Sequence, residues 1–361
     1  MSQTHIVQLS FADDLQLFSR GDIDSTTLMY ECFQQFSKVS GLLANQAKSC
    51  VYFGGVSEEI QQKILQHTGF SKGDLPFRYL GVPLSSKKLS ISQCQPLIDK
   101  IMGRINTWTT KFLSYAGRLQ LVNSVLSAMQ GFWSQIFLMP KKVLKKIESM
   151  CKRFLWNGDK EGKGKALIVW ETLCWPKAAG GLNITDMYVW NKAAILKHMW
   201  NLCKKKDKLW IVWVHTFYLK GRDPWEVDIK QASWMVKKIL KAGQWLTERG
   251  LQVTEIMEET NFSIKKMYQV LKGEYNKVPW RRLTCNNLDS PKWVFALYVA
   301  IHRRLYTKDR LSNWGIIRDD VCALCKAEVE THQHLFFSCN FSKQIWHKML
   351  NWLLITRGCE G

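Results

Sequence analysis

Two constellations in this chain of 361 residues combine residue types and spacings that can do chemistry. Near the C-terminus, Cys322-Ala323-Leu324-Cys325 is followed by His334 and Cys339. The intervening gaps are two, eight and four residues. Three thiols and one imidazole make a closed tetrahedral set, the usual form of a structural zinc site. A C-x-x-C pair with a matching His and Cys reads as a metal site more readily than as a disulfide. His332 is a rival for the place of His334. Near the N-terminus, Phe11-Ala12-Asp13-Asp14 sets two carboxylates between apolar stretches. Paired carboxylates suit magnesium, which takes oxygen ligands. They also suit two-metal phosphoryl transfer. The plainer reading is a solvated turn with two ordinary aspartates.

The elements around each site follow from periodicity. Val7, Leu9 and Phe11 alternate, which predicts a strand. Leu15, Leu17 and Phe18 lead away, so the acidic pair sits at the tip of a β-hairpin. A helix is expected over Ile23–Leu43, with Leu28, Met29, Cys32, Phe33 and Phe36 on one face. Asp22 or Asp24 caps its start and Gly41 lies near its end. A β-like run, Cys50–Phe53, and a short helix, Glu58–His67, follow. Phe77 to Leu84 contains Pro83, which cannot donate to a sheet, so it reads as an edge or hairpin element. Around the thiols, Leu335, Phe336 and Phe337 pack beneath the knuckle, and a helix with Phe341, Ile345, Trp346, Met349 and Leu353 apolar comes next.

Composition divides the chain near residue 107. Residues 1–107 hold 10 lysines and arginines against 9 acids, and the remainder holds 41 against 21. All 17 tryptophans lie from Trp108 onward. Net charge must sit on the surface, so the excess of +21 marks a polyanion-binding chain. Exposed indoles add stacking surface for bases, although each one alone is more often core. Eleven cysteines, mostly single among apolar neighbours, indicate a reducing compartment. No apolar run reaches the roughly 18 residues of a membrane span, and Met1 to His5 show no secretory leader.

The middle of the chain reads as helical. Leu97, Ile101, Ile105 and Trp108 keep a 3.6 period, as do Leu119, Val122, Leu126 and Met129. Leu144 to Leu155 is a basic amphipathic helix carrying Lys145, Lys146, Lys152 and Arg153. Such a helix offers phosphate contacts that position a duplex without reading it. Asp159 to Lys165 is a Gly/Lys linker without phosphate-loop spacing. Helices are expected over Leu196–Leu219 and Trp234–Leu246. The cluster Lys204-Lys205-Lys206-Asp207-Lys208 is either a solvated turn or a phosphate contact. Arg303 and Arg304 lie in a basic segment leading into the thiols, a nucleic-acid contact beside a small zinc fold.

The order Phe11-Ala12-Asp13-Asp14, Ser40-Gly41-Leu42 with Asn45 and Lys48, then Phe77-x-Tyr79-Leu80-Gly81-Val82-Pro83-Leu84 resembles the second half of a reverse transcriptase palm. It is most similar to the non-LTR, LINE-type retrotransposon polymerases of plants. Leu113 to Leu121, Phe154 to Gly158, Pro176-Lys177 and Gly180-Gly181-Leu182 extend the resemblance, and Trp280 to Trp352 resembles the zinc module found downstream in that family.

The resemblance implies an α+β fold, predominantly helical. Residues 1–107 would be the C-terminal part of a palm, 108–279 a basic, Trp-rich thumb or connection, and 280–355 a zinc-binding domain. It implies RNA-directed DNA synthesis with Asp13 on magnesium, Asp14 as companion and Lys48 as acid for the leaving pyrophosphate. Phe77, Tyr79, Leu80, Gly81, Val82 and Pro83 would form the hairpin gripping a primer end. Partners are RNA–DNA or DNA template–primer, with structural zinc, and the nucleus is the implied compartment. The family also needs an aspartate, fingers and a nucleotide helix before the acidic pair. Only ten residues precede Phe11, and they hold no Asp or Glu. The expectation is therefore a chain that binds nucleic acid and does not polymerise alone, with an unpaired hairpin edge. The alternative is a non-catalytic or co-opted zinc-containing nucleic-acid-binding protein.

Overall fold

The structure, a computed structural model, describes residues 6–84, 87–107, 113–157, 166–204, 207–225, 227, 232–284 and 290–355. Trp108, Gly158, the linker from Asp159 to Lys165, and Lys205-Lys206 lie outside the described residues.

The chain opens with a hairpin of β1 (Gln8–Phe11) and β2 (Asp14–Leu17), then α1 (Ile23–Ser40), β3 (Cys50–Val51), α2 (Glu58–Thr68) and β4 (Ser71–Lys72). A second hairpin joins β5 (Phe77–Tyr79) to β6 (Val82–Leu84). Helices α3 (Gln95–Thr107), α4 (Tyr115–Gly131), α5 (Trp133–Ile136), α6 (Lys141–Asn157), α7 (Trp170–Leu173) and α8 (Met187–Cys203) follow. The remainder holds α9 (Leu209–Val214), α10 (Trp234–Leu240), α11 (Gln244–Thr247), α12 (Val253–Glu258) and α13 (Ile264–Lys272). Last come α14 (Arg281–Thr284), α15 (Pro291–Ile301), α16 (Lys308–Asn313) and α17 (Asn340–Trp352). The described chain is predominantly helical, and its strands pair only in twos: β1 with β2, β3 with β4, β5 with β6.

Compactness divides the chain into two units that interleave in sequence. The first comprises residues 1–95, 131–140 and 189–272; the second comprises 96–130, 141–188 and 273–361. The change of composition near residue 107 falls inside the second.

In the first unit, Asp22 caps α1 by accepting a 2.7 Å hydrogen bond from the Ser25 amide. Hydrogen bonding from Ser25 holds the Asp22 carboxyl below its ordinary pKa range. Gly41, at φ 75°, ends the helix in the left-handed conformation that glycine adopts without strain. The helix thus stops at Ser40, three residues before the expected Leu43. Its packed face also differs from the expected one. Thr26 and Ser37 are buried, and Tyr30 meets His67 and Phe70 edge-on at 5.7 and 5.9 Å. Leu28, Cys32 and Phe36 are exposed. An apolar stripe counted from sequence does not say which stripe finds a partner, and here aromatic edge contacts decided it.

The core of this unit gathers α8 to α13 around Leu196, Met199, Ile211, Leu240, Leu246 and Met267. Asn191, buried on α8, ties residues 131–140 into it. Its side-chain oxygen accepts from the Met139 amide at 2.8 Å, and its amide donates to the carbonyls of Ser134 and Phe137 at 2.8 and 2.7 Å. A buried amide used on both ends is worth more than a single bond, because removing it strands three backbone groups. The helical pattern expected over Leu196–Leu219 is carried by the end of α8 and by α9, followed by a π-helical turn over His215–Leu219. Lys204 donates to the Glu258 carbonyl at 3.0 Å, so that member of the basic cluster is engaged within the chain.

In the second unit, α3 buries Leu97, Ile98 and Ile101, and α4 buries Val122, Val125, Leu126 and Met129. Ile98 and Val125 add to the expected faces, whereas Ile105 and Leu119 are only half-buried. Helix α6 is sharply two-sided. Val143, Leu144, Ile147, Met150, Cys151, Phe154 and Leu155 are buried. Burial pushes the Cys151 thiol up to about 12, so it is packing and not chemistry. The Gly180-Gly181-Leu182 turn has a steric cause. A Cβ on Gly181 would lie 2.0 Å from the Trp175 carbonyl oxygen. The Gly180 carbonyl accepts from the Tyr298 hydroxyl at 3.1 Å, which anchors α15.

Candidate metal centre

The four ligands are brought together by three local devices. An isolated bridge between Val321 and Val329 closes a loop, and the Cys322 amide donates to the Glu328 carbonyl at 2.8 Å. Inside that loop the Lys326 amide returns to the Cys322 carbonyl at 2.9 Å, with Lys326 at φ 55°. This turn carries Cys322 and Cys325 on one side. The π-helical turn over His334–Ser338 begins at the third ligand and delivers the fourth, Cys339, directly after it. The Thr331 hydroxyl accepts from the His334 amide, and the Cys339 amide donates to the His334 carbonyl at 2.8 Å. Helix α17 starts directly after Cys339, with the Trp346 indole donating to the Phe336 carbonyl at 2.8 Å.

The ligand atoms of Cys322, Cys325, His334 and Cys339 all lie within 4.8 Å of one another. A tetrahedral zinc with sulfurs about 2.3 Å away sets its ligand atoms roughly 3.8 Å apart, so this spread fits. Cys322, His334 and Cys339 are buried, and Cys325 is half-buried. His334 Nε2 is 3.2 Å from Cys325 Sγ, on the thiol side. Its Nδ1 is 2.9 Å from Glu328 Oε2, although the angle falls short of a hydrogen bond. A ligating imidazole characteristically offers its second nitrogen to a carboxylate, which fixes the ring. The Ala327 amide aimed at Cys325, joined by Glu328 and His334, lowers that thiol to about 6. Burial raises Cys322. A thiolate is what zinc requires.

His332 stays outside the cluster, its ring 4.9 Å from Phe336. Leu335 and Phe336 are half-buried as expected beneath the knuckle, but Phe337 is exposed and stacks along Trp346 at 6.5 Å. Phe341, Ile345 and Met349 are likewise exposed. Glu330 is a structural partner that charge alone does not reveal. It is buried and accepts from the Ala323 and Lys308 amides, both at 3.2 Å. Arg303 and Arg304 are exposed at the end of α15, Arg303 at φ 52°.

The acidic pair is arranged differently. Ala12 and Asp13 form the two-residue turn, with Ala12 at φ 52°. Asp14 is the first residue of β2, paired with Phe11, so only Asp13 occupies the tip. Both carboxylates are exposed. Among the described residues no third Asp, Glu, His or Cys stands with them as a metal group. Lys48 is exposed in the turn of residues 46–48, its amide donating to the Asn45 carbonyl. Phe77 to Leu84 is a hairpin, as Pro83 required. Leu80 and Gly81, both at positive φ, form its turn, Tyr79 pairs with Val82 and Arg78 with Pro83. Val82 and Pro83 are buried, and Phe77 stacks on Tyr52 at 4.3 Å.

On α6, Lys145, Lys146 and Arg153 are exposed and Lys152 is half-buried. Sequence reading missed Lys141 and Lys142, which extend the same exposed face by one turn. Pro140 immediately before them was the available signal, since helices commonly begin after proline.

Comparison with known proteins bears on the C-terminal region. The family described as zinc-binding in reverse transcriptase matches residues 262–346. A putative ribonuclease H protein of Arabidopsis thaliana is 29% identical over 164 residues, which is 45% of this chain. The chain spans about a quarter of that relative's length, 25%. All four gathered ligands lie within the matched stretch, so geometry and similarity together support a structural zinc in a reverse-transcriptase zinc-binding domain.

Proposed function

We propose that this chain derives from a LINE-type retrotransposon reverse transcriptase and that these residues bind template–primer nucleic acid. The observation that carries the reading is the closed Cys₃His cluster inside the stretch matching a reverse-transcriptase zinc domain. Zinc supplies no reaction here; held by four protein ligands with none left open, it serves folding. The exposed cations of α6, together with Arg303 and Arg304, meet phosphates and position a duplex. The net charge of +21 supports this. The relative's name, a ribonuclease H protein, points to the same class of substrate.

In this reading Asp13 holds magnesium in the intact polymerase, with Asp14 beside it. Lys48 protonates pyrophosphate, and Phe77, Tyr79, Leu80, Gly81, Val82 and Pro83 grip the primer. These 361 residues alone bind without polymerising, because two exposed carboxylates with no third ligand beside them among the described residues do not seat two metals. The site of action is the nucleus, where target DNA lies. Primer extension on an RNA template, run beside a binding titration, tests this. Binding that weakens steeply with salt, without extension, is the expected result. Extension abolished by Asp13→Ala overturns the inactive part, and salt-insensitive or absent binding overturns the whole.

A further inference from the structure

Glu330 lies between the thiol knuckle and the basic segment that precedes it. It is buried, and a buried carboxylate is costly unless its oxygens accept hydrogen bonds. Both do, one on each side. Oε2 accepts from the Ala323 amide, inside the turn from Cys322 to Cys325, and Oε1 accepts from the Lys308 amide, the first of α16, each at 3.2 Å. The backbone of the same residue reinforces the junction. Its amide donates to the Asp320 carbonyl at 2.8 Å, and its carbonyl accepts from the Asp309 amide at 3.3 Å. Lys308 Nζ donates to the Val321 carbonyl at 2.7 Å and to Asp319 Oδ2 at 3.1 Å. The start of α16 is thus fixed to the loop that carries two of the thiols. A helix cap uses one carboxylate oxygen; the second, on Ala323, ties that cap to the zinc loop.

At the other end of the junction stand the two exposed arginines. Arg310, in α16, donates from Nη1 to the carbonyls of Arg303 and Leu305, at 3.3 and 3.0 Å. Its guanidinium lies over the Trp314 ring at 5.0 Å, which steadies it. Arg303 ends α15. Its amide donates to the Ala300 carbonyl at 2.8 Å and the Arg304 amide to the Val299 carbonyl at 3.0 Å, with Arg303 at φ 52°. Glycine is the usual residue at such a helix end. An arginine persists in that conformation where its surroundings hold it, and Arg310 holds its carbonyl. A run of hydrogen bonds therefore leads from the knuckle through Glu330, α16 and Arg310 to Arg303.

We infer that Glu330 is a positioning residue, coupling closure of the thiol knuckle around zinc to the placement of Arg303 and Arg304 for phosphate. The coupling rests on the nucleic-acid-binding reading above and adds that the zinc site governs part of the affinity instead of serving folding alone.

Chelation unfolds such a knuckle outright, so the link has to be cut with zinc in place. Glu330→Gln does this, because a carboxamide has one acceptor oxygen and turns N–H groups toward the amide it does not serve. Lys308→Pro cuts the same link from the other side. Proline fits the first position of a helix, and Thr307 before it is already extended at φ −73° and ψ 153°. Lys308→Ala controls for the lost side chain. On the zinc-loaded full chain, the readouts are zinc content, hydrogen exchange over residues 299–306, and anisotropy of a labelled RNA–DNA duplex across a salt series. Glu330→Gln is expected to keep its zinc, to exchange faster over 299–306 and to bind roughly tenfold more weakly at low salt. Its salt slope should shrink by up to about 0.9 for each arginine displaced. Lys308→Pro should show the same changes relative to Lys308→Ala. Adding Arg303→Ala and Arg304→Ala to Glu330→Gln should cost little more, since positions joined in one network are not additive. Wild-type exchange and affinity in zinc-loaded Glu330→Gln overturn the coupling, and so do fully additive losses. Should Glu330→Gln lose its zinc, Lys308→Pro decides, and behaviour equal to Lys308→Ala overturns the coupling. All these outcomes leave duplex binding by wild type standing, whereas its absence removes this inference and the proposed function together.

Discussion

Cys322 to Cys339 and Gln8 to Leu17 are both short segments with side chains able to ligate a metal, and their surroundings differ. In the first, a bridged loop and a π-helical turn close four ligands to within 4.8 Å, three of them buried. In the second, a two-stranded hairpin leaves both aspartates in solvent, with Phe11 at 59% exposure and Val7 at 54%. All four zinc ligands come from eighteen consecutive residues, so local hydrogen bonds suffice to assemble them. A two-metal carboxylate centre draws ligands from strands far apart in sequence, so no hairpin makes one by itself. Residue type nominates a site, and the closure of the chain around it decides whether the site exists.

The contrast can be broken at its strongest point by removing zinc. Coordination in such modules contributes on the order of 10 kcal/mol to folding. Cys339→Ser is expected to lose the bound zinc and the near-ultraviolet circular dichroism of the Trp346 environment, as chelation does in wild type. His332→Ala is expected to retain zinc; loss there, measured by atomic absorption, would transfer the ligand role away from His334. A smaller effect sharpens the account of how the imidazole is held. Glu328→Gln removes the carboxylate charge 2.9 Å from His334 Nδ1 and should loosen zinc about tenfold in competition with a chromogenic chelator. The low end of the usual range applies because the Glu328 side chain is 71% exposed.

The same unit carries the basic face. The triple variant Lys145→Ala, Lys146→Ala, Arg153→Ala should weaken duplex binding roughly tenfold at low salt. The slope of log affinity against log salt should shrink by up to about 0.9 for each phosphate no longer neutralised. An unchanged slope would take α6 out of the interface. The smallest effect is expected at the hairpin. Asp13→Asn with Asp14→Asn should leave stability within about 0.5 kcal/mol of wild type, as exposed substitutions do. Magnesium should not shift the melting temperature of either form. A magnesium-dependent rise that the double variant abolishes would give the hairpin the closed character that now separates it from the zinc cluster.

Much of the fold was legible where local chemistry is strong. Asp22 and Gly41 mark α1 because an N-cap carboxylate and a left-handed glycine act within one turn. The buried positions Val122, Leu126 and Met129 of α4 follow from period alone. What escaped depends on partners distant in sequence. Asn191 reaches across more than fifty residues to hold Ser134 and Met139, and nothing near it announces this. Leu28 and Phe36 are as apolar as Tyr30 is aromatic, yet they stay exposed while Tyr30 meets His67 of α2.

The sequence by itself determined the three zinc thiols and the two histidines that compete for the fourth place, the helical caps, and the basic face of α6, because each acts over a few residues at fixed spacing. The tertiary structure decided between His334 and His332, which face of α1 is packed, and that the acidic pair lacks a third ligand among the described residues. The physical reason is range. Backbone turns and charge repeat locally, whereas burial and ligand closure depend on which distant segments the fold brings into contact.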